Sequence, residues 1–146
     1  MELHEFKVPV IVKINKVYYG NKLFTMDEWK KTINSSHVKE LLNDNCMFLC
    51  NKEAGEEFRK NTSISLSSVI GRIKSLDTIP EGYIDVIASP GKESLIKMYL
   101  DLNYKAGILG IGNFEVIRAM NKYNSISSYK DVKLFGFEMV PPNPFM

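Results

Sequence analysis

The stretch Gly107-Ile108-Leu109-Gly110-Ile111-Gly112 decides the fold class, because its glycines are compatible with two very different structures. A dinucleotide-binding fingerprint places such a glycine-rich loop between a strand and the helix that follows it. Here the order is reversed, since an amphipathic helical pattern (Leu95 to Leu102) precedes the glycines and strand-like residues (114–120) follow them. The stretch therefore predicts a tight, bulged strand in a barrel, where glycine permits close approach of the backbone.

Further toward the N-terminus, the clearest local signal is a helix that begins after Thr25. Glu28 completes a capping box with Thr25, and Phe24 and Trp29 have the spacing of a hydrophobic staple. The helix is expected to break or to be capped again at 34–36 and to end at 43–45. Strands are predicted over 6–15 and 46–50, with a turn at Gly20-Asn21 and a charged, glycine-containing loop from 51 to 60.

The second half of the chain adds strands and one helix. Long and short strands are predicted over 64–76, 83–88 and 132–140, and Ser89-Pro90 is predicted to open the helix that carries Leu95 to Leu102. Because strands outnumber helices, the expected fold is α+β: a mostly antiparallel β-barrel, closed or nearly closed, with two or three flanking helices. No linker interrupts the pattern, so a single domain spanning 1–146 is expected.

Composition argues for an ordinary globular protein and against several classes of partner. The 19 basic and 17 acidic residues give a net charge of +2, and they form no block of like charge. Phosphate-driven binding needs a concentrated basic face, so nucleic-acid binding is not indicated. No apolar run approaches the roughly 20 residues that span a bilayer, and the N-terminus lacks a signal-peptide pattern, so we expect no membrane association.

The sequence contains few side chains that could support catalysis or bind a metal ion. A zinc site needs more ligands than the two cysteines, Cys46 and Cys50, and the only histidines are His4 and His37. No metal or cofactor is therefore expected. Gly91-Lys92 is followed by glutamate, whereas a phosphate loop needs serine or threonine there. Serines are plentiful, but His37 is predicted to be a solvated surface residue, so a base for a serine nucleophile is lacking. These counts favour a binding or assembly protein over an enzyme.

Five segments, in order, resemble the prohead (capsid maturation) proteases of tailed bacteriophages, which are related in fold to herpesvirus assemblin. The first is a turn and capped helix around Val17–Phe24, where the family has an Asn-x-Asn-Gly-Arg-x-Tyr-Pro-like turn. The others are Val69-Ile70-Gly71-Arg72-Ile73, Ala88-Ser89-Pro90-Gly91-Lys92, Gly107 to Gly112, and Leu134-Phe135-Gly136-Phe137-Glu138-Met139-Val140-Pro141-Pro142. The last is similar to the Gly-Phe-Asp-x-Val strand that closes the family's fold.

The resemblance also implies where catalytic residues are missing. The family has Val-Ser-His-x-Ile with the catalytic histidine where this chain has Gly71, and Gly-Val-Ser-Ser-Arg-Gly with the nucleophilic serine where it has Leu109 and Gly110. Glycine and leucine cannot transfer the proton that acyl transfer requires, and losing one member of such a unit removes most of its catalysis.

The resemblance thus implies a catalytically inactive prohead-protease-like protein that acts in head or virion assembly, located in the host cytoplasm or the virion. Its expected partners are phage capsid or scaffold proteins, and homo-oligomers are possible. The expected binding groove comprises Val69, Gly71, Ile73, Gly107, Ile108, Leu109, Gly110, Ile111 and Gly112, and β-augmentation by an extended peptide is the expected mode. Two alternatives stay open: an active serine hydrolase that uses another serine with His37 or a lysine, and a prophage-encoded binding or inhibitor module.

Overall fold

The computed structural model describes residues 4–18, 22–119 and 125–142. These residues form four α-helices and one eight-stranded sheet. The helices are α1 (Met26–Ile33), α2 (Ser36–Asn43), α3 (Ala54–Asn61) and α4 (Glu93–Asp101). The strands are β1 (Glu5–Pro9), β2 (Val17–Tyr18), β3 (Lys22–Leu23), β4 (Phe48–Cys50), β5 (Val69–Ser75), β6 (Tyr83–Ala88), β7 (Lys105–Ala119) and β8 (Ser125–Val140). The predicted turn at Gly20-Asn21 lies outside the described residues.

The sheet is a curled half-barrel, and the predicted closed antiparallel barrel is wrong. Its strand order is β1-β6-β5-β4-β8-β3-β2, and β7 pairs with β8. Both β3 and β4 run parallel to β8, and α1 and α2 form the crossover that joins these two parallel strands. The curl brings Val10, just after β1, to Ala106 at the start of β7, but only a single isolated bridge joins them.

The N-terminal helix signals are confirmed, with one difference. The Thr25 hydroxyl accepts a hydrogen bond from the Glu28 N–H (3.2 Å), and the Phe24 and Trp29 rings pack edge-on with centroids 5.5 Å apart. Ser35 caps α2, as expected for a second cap in 34–36. The Glu28 carboxylate does not complete the capping box, because it accepts a hydrogen bond from the Asp131 N–H on β8 instead (3.2 Å).

Four other predictions were wrong. The strand predicted over 6–15 ends at Pro9. The charged segment predicted as a loop contains α3, which buries Ala54 and Phe58 and exposes Glu56, Arg59 and Lys60. The strand predicted over 64–76 begins only at Val69, after a short 3-10 turn. Helix α4 begins at Glu93 with Lys92 at its N-cap position, because Ser89 accepts a hydrogen bond from the Lys92 N–H (2.9 Å) in a preceding turn.

Two apolar clusters cover the two faces of the sheet. The main core packs α1, α2 and α4 against one face, around fully buried side chains such as Trp29, Ile84 and Phe137. A second, smaller cluster lies under α3 and contains Cys50, Ala54, Phe58 and Leu109. The side on which a strand residue points therefore determines which cluster it joins.

Candidate functional site

The glycine-rich stretch is part of β7, so the predicted strand is confirmed and its bulge lies on the neighbouring strand. Leu109 pairs with Gly136, but Gly110 pairs with Leu134, which leaves Phe135 of β8 as the extra residue. A bulge of this kind bends the strand pair and strengthens its twist. The hairpin of β7 and β8 is therefore bent at the glycines.

Close approach of β8 accounts for two of the glycines. A Cβ on Gly110 would lie 2.9 Å from the Lys133 carbonyl oxygen, and one on Gly112 would lie 2.9 Å from Val132 Cγ2. Backbone atoms cannot move aside as a flexible side chain can, so Gly110 in particular admits no larger residue without a shift of the strand. The glycines thus serve the pairing of β7 with β8.

The other edge of β7 is open in the part of the chain that the structure describes. The Ile11 N–H donates to the Ala106 carbonyl (2.9 Å), so the peptide groups of Ala106 point away from β8. Because strand residues alternate, the N–H and C=O groups of Ile108, Gly110 and Gly112 point the same way. Described residues pair with this edge only at Ala106. An unpaired edge of this kind is a template for an added strand.

Gly71 is far from the glycine-rich stretch. Across the sheet, Gly71 on β5 pairs with Leu49, Leu49 with Phe137, and Phe137 with Ile108. Three inter-strand steps of about 4.8 Å place the two regions roughly 14 Å apart along the sheet. A Cβ on Gly71 would lie 2.7 Å from Val86 Cγ1 and 2.9 Å from the Ile87 carbonyl oxygen, so this position has no room for a side chain.

The three positions implied to be degenerate catalytic residues do not meet in one pocket. Leu109 is 2% exposed and packs in the cluster under α3, whereas Gly71 faces Val86 in the main core. Proton transfer between a serine and a histidine requires contact within hydrogen-bond reach. The structure brings Leu109 and Gly110 together with each other but not with Gly71.

The remaining residues of the predicted groove differ in accessibility. Ile73 is buried in the main core, and Val69 is half-buried against the cluster under α3. Gly107 and Ile108 are half-buried, while Ile111 is 48% exposed and Gly112 is exposed. The accessible part of the predicted groove is therefore the edge of β7, with Ile111 beside it.

A buried carboxylate beneath α3 was missed from the sequence. The Glu138 side chain is 14% exposed, its Oε1 lies 4.0 Å from Arg59 Nη1, and Oε2 is buried without a hydrogen-bond partner among the described residues. Burial raises the pKa of Glu138, and the Arg59 charge and the Gly55 N–H oppose that rise. The signal available in the sequence was an acidic residue inside the apolar strand 132–140.

Cys50 and His37 are not arranged for catalysis. Burial and the neighbouring Glu138 charge raise the pKa of the Cys50 thiol to about 12, which disfavours the nucleophilic thiolate. The His37 ring packs against Phe135 with centroids 4.8 Å apart, and its Nε2 is buried with no hydrogen-bond partner in the described part of the chain. The prediction that His37 is a solvated surface residue was therefore wrong.

Other kinds of site are not evident in the described ranges. No group of three or more His, Cys, Asp or Glu residues there is placed to hold a metal ion. Among the same residues, no helix has the length and apolar character needed to cross a membrane.

Comparison with known proteins places the fold in a recognisable class. No protein-family model matches the chain, and no curated protein matches it in sequence. Its fold is similar to that of a capsid assembly protease of a bacteriophage. That protein is the bacteriophage T4 capsid assembly protease, gp21, whose structure superposes with a TM-score of 0.59 at 11% sequence identity over 95% of this chain and 82% of that one. The expected prohead-protease-like fold is confirmed, and an identity this low concerns the fold alone.

Proposed function

We propose that this chain is a tailed-phage head-assembly protein that has a prohead-protease-like fold without peptidase activity and that acts through protein–protein contacts. Two independent features support the proposal. The order of the segments along the sequence resembles the prohead proteases, and the fold is similar to that of a phage capsid assembly protease. Its proposed partners are phage capsid or scaffold proteins, in the host cytoplasm or the virion.

The observation that carries the proposed inactivity is the state of the implied catalytic positions. A side chain at Gly71 would meet Val86 and the Ile87 carbonyl, one at Gly110 would meet the Lys133 carbonyl, and Leu109 is buried among apolar side chains. The two glycine positions lack both the required functional groups and the space to hold them, and Leu109 lacks the functional group. A simple reversion of glycine or leucine would therefore not rebuild a serine–histidine pair.

The proposed contact surface is the β7 portion of the predicted groove. On β5, Gly71 and Ile73 are buried and can contribute to binding only by supporting the sheet, whereas Val69 is half-buried against the cluster under α3. The β7 portion offers backbone groups that no described residue pairs with, beside the half-exposed side chain of Ile111. The proposal includes self-association of the protein through the same surface.

The experiment is to incubate the purified protein with capsid and scaffold proteins of its phage. We expect a stable complex on size-exclusion chromatography, with no fragments and no labelling by a fluorophosphonate probe. Specific cleavage that is abolished by substituting one serine would overturn the proposed inactivity and favour a serine hydrolase. If the protein bound a host protein and were absent from virions by mass spectrometry, a prophage-encoded inhibitor would be favoured instead.

A further inference from the structure

We propose that the open edge of β7 at Ile108, Gly110 and Gly112 receives an extended, uncharged segment of a partner protein, flanked by acidic residues, as an added strand. The inference rests on the proposed function, because it specifies what kind of partner segment the assembly protein would bind.

The protein's own chain already begins such a pairing. Val10 forms a parallel bridge with Ala106, and the Ile11 N–H donates to the Ala106 carbonyl at 2.9 Å. The chain then leaves β7, since its next bridge joins Ile14 to Phe24. A strand added at Ile108 would thus continue a pairing that Val10 and Ile11 start and do not complete.

The side chains along this edge favour an uncharged occupant. Residues 106–114 include no charged side chain. Gly110 and Gly112 carry no side chain at all, so an incoming backbone can approach them closely. Ile111 is 48% exposed and offers apolar surface that a strand with small or β-branched residues would cover. A charged residue in the middle of the occupant would lose hydration there without gaining a partner.

Basic residues near the edge favour acidic residues at the ends of the occupant. Lys133 pairs with Ile111 across β7 and β8, so both side chains stand on the same face of the sheet. Lys133 is exposed, and its Nζ lies 5.4 Å from the centroid of the Phe135 ring. Lys105 at the start of β7 is also exposed. Such rim charges select among partners and speed association, and salt weakens their effect.

Two synthetic peptides test the inference directly. One is fluorescein-labelled Glu-Val-Thr-Val-Thr-Val-Glu, and the other has lysine in place of both glutamates. We expect the acidic peptide to bind about tenfold more tightly than the basic one, the size of effect that roughly 1.4 kcal/mol of rim electrostatics produces. The preference should shrink as salt is added. Equal binding of the two peptides, or no saturable binding of either, overturns the inference.

Charge reversal on β8 checks the role of Lys133. Lys133→Glu should reduce or reverse the preference for the acidic peptide, whereas Lys97→Glu should leave it unchanged. Lys97 is a matched control because it is an exposed lysine on a different element, α4. An equal change in the two variants would mean that overall charge sets the preference, and the assignment to Lys133 would fail.

Amide hydrogen exchange locates the bound peptide. Binding should slow exchange at Ile108, Gly110 and Gly112, whose N–H groups face the open edge, and leave Leu109 and Ile111, which face β8, unchanged. Slowing elsewhere without slowing at these three residues would contradict the inference. Failure here is distinguishable from failure of the proposed function, because cleavage of head proteins would refute inactivity and leave the peptide result unaffected.

Discussion

The carboxylate of Glu138 lies against the backbone of Gly55, so closely that a Cβ on residue 55 would come within 2.1 Å of Glu138 Oε2. Gly55 is in the first turn of α3, whose own N-cap residue, Glu53, makes no side-chain capping hydrogen bond. The Gly55 N–H and the positive end of the helix dipole therefore face a carboxylate from β8. This contact joins α3 to the sheet above the small apolar cluster.

The contact predicts an unusual sign for Gly55→Ala. In an ordinary helix this substitution stabilises by about 0.5–1 kcal/mol, because alanine restricts the unfolded chain. Here the added methyl group would push the Glu138 carboxylate, the end of a flexible side chain, away from the Gly55 N–H, so we expect the usual gain to be lost and a net cost of up to about 1 kcal/mol, the size of one hydrogen bond. Urea unfolding monitored by circular dichroism measures the free energy of unfolding.

The matched control is the same substitution in a Glu138→Ala background. Removing the carboxylate makes room, so Gly55→Ala should then be neutral or stabilising. The coupling free energy from this double-mutant cycle isolates the contact. An equal cost of Gly55→Ala in both backgrounds would show that the carboxylate is not the obstacle.

The raised pKa of Glu138 predicts a pH dependence of stability. The Glu138 carboxyl binds a proton more readily in the folded state than in the unfolded state. The stability that this group contributes is therefore fully present below its unfolded pKa, and it is lost as the pH rises through the raised folded pKa. Compared with a Glu138→Gln variant, the wild-type protein should gain stability as the pH falls from neutral toward the ordinary glutamate pKa of 4.5. Urea unfolding of both proteins over this range checks the sign, and a relative loss of stability at lower pH would contradict it.

Restoring the implied histidine should harm the fold without creating a protease. Gly71→His would place a side chain 2.7 Å from Val86 Cγ1 and 2.9 Å from the Ile87 carbonyl, so we expect destabilisation of about 1–3 kcal/mol or more. Arg72→His is the control, because the neighbouring Arg72 side chain reaches outward to the Asn45 amide (3.3 Å) and has room. A Gly71→His variant as stable as wild type, or one labelled by fluorophosphonate, would show that the position is not closed.

The left-handed backbone at Asp131 predicts an order of stabilities. Asp131 has φ 52° at the point where β8 departs from regular pairing with β7, and its carboxylate pairs with Lys31 on α1. Asparagine adopts this φ at a lower energy cost than alanine, so Asp131→Asn should be closer to wild type in melting temperature than Asp131→Ala. The ion pair of Asp131 with Lys31 is exposed and contributes little to stability. The backbone conformation therefore sets the order of the two melting temperatures. Equal melting temperatures for the two variants would remove the backbone argument.

Local sequence signals predicted the local structure, and long-range pairing explains most of what was missed. Thr25, Phe24 and Trp29 lie within five positions of one another, so their cap and staple could be read from the chain. Helix α3 was missed because its apolar face amounts to little more than Ala54 and Phe58, and because its partner Glu138 is distant in sequence. Secondary structure that depends on such contacts leaves a weak local pattern.

The same distinction holds for the candidate site. The glycines of β7 predicted a strand, but the bulge lies opposite them at Phe135 of β8, which no local pattern on β7 specifies. The position of Gly71 relative to β7 could not be predicted, because β4 and β8 intervene between β5 and β7 and their register is set by tertiary packing. The half-barrel likewise depends on the parallel pairing of β3 and β4 with β8, which no local pattern specifies.

Intact-mass spectrometry of capsid and scaffold proteins, after co-purification with this protein, tests the central claim most directly. A prohead-protease-like fold without peptidase activity predicts that the partners co-elute and keep their full masses over prolonged incubation. The Lys133→Glu variant should weaken co-elution, and the Lys97→Glu variant should not. Partner fragments with defined new termini, lost when a single serine of this protein is substituted, would contradict the claim.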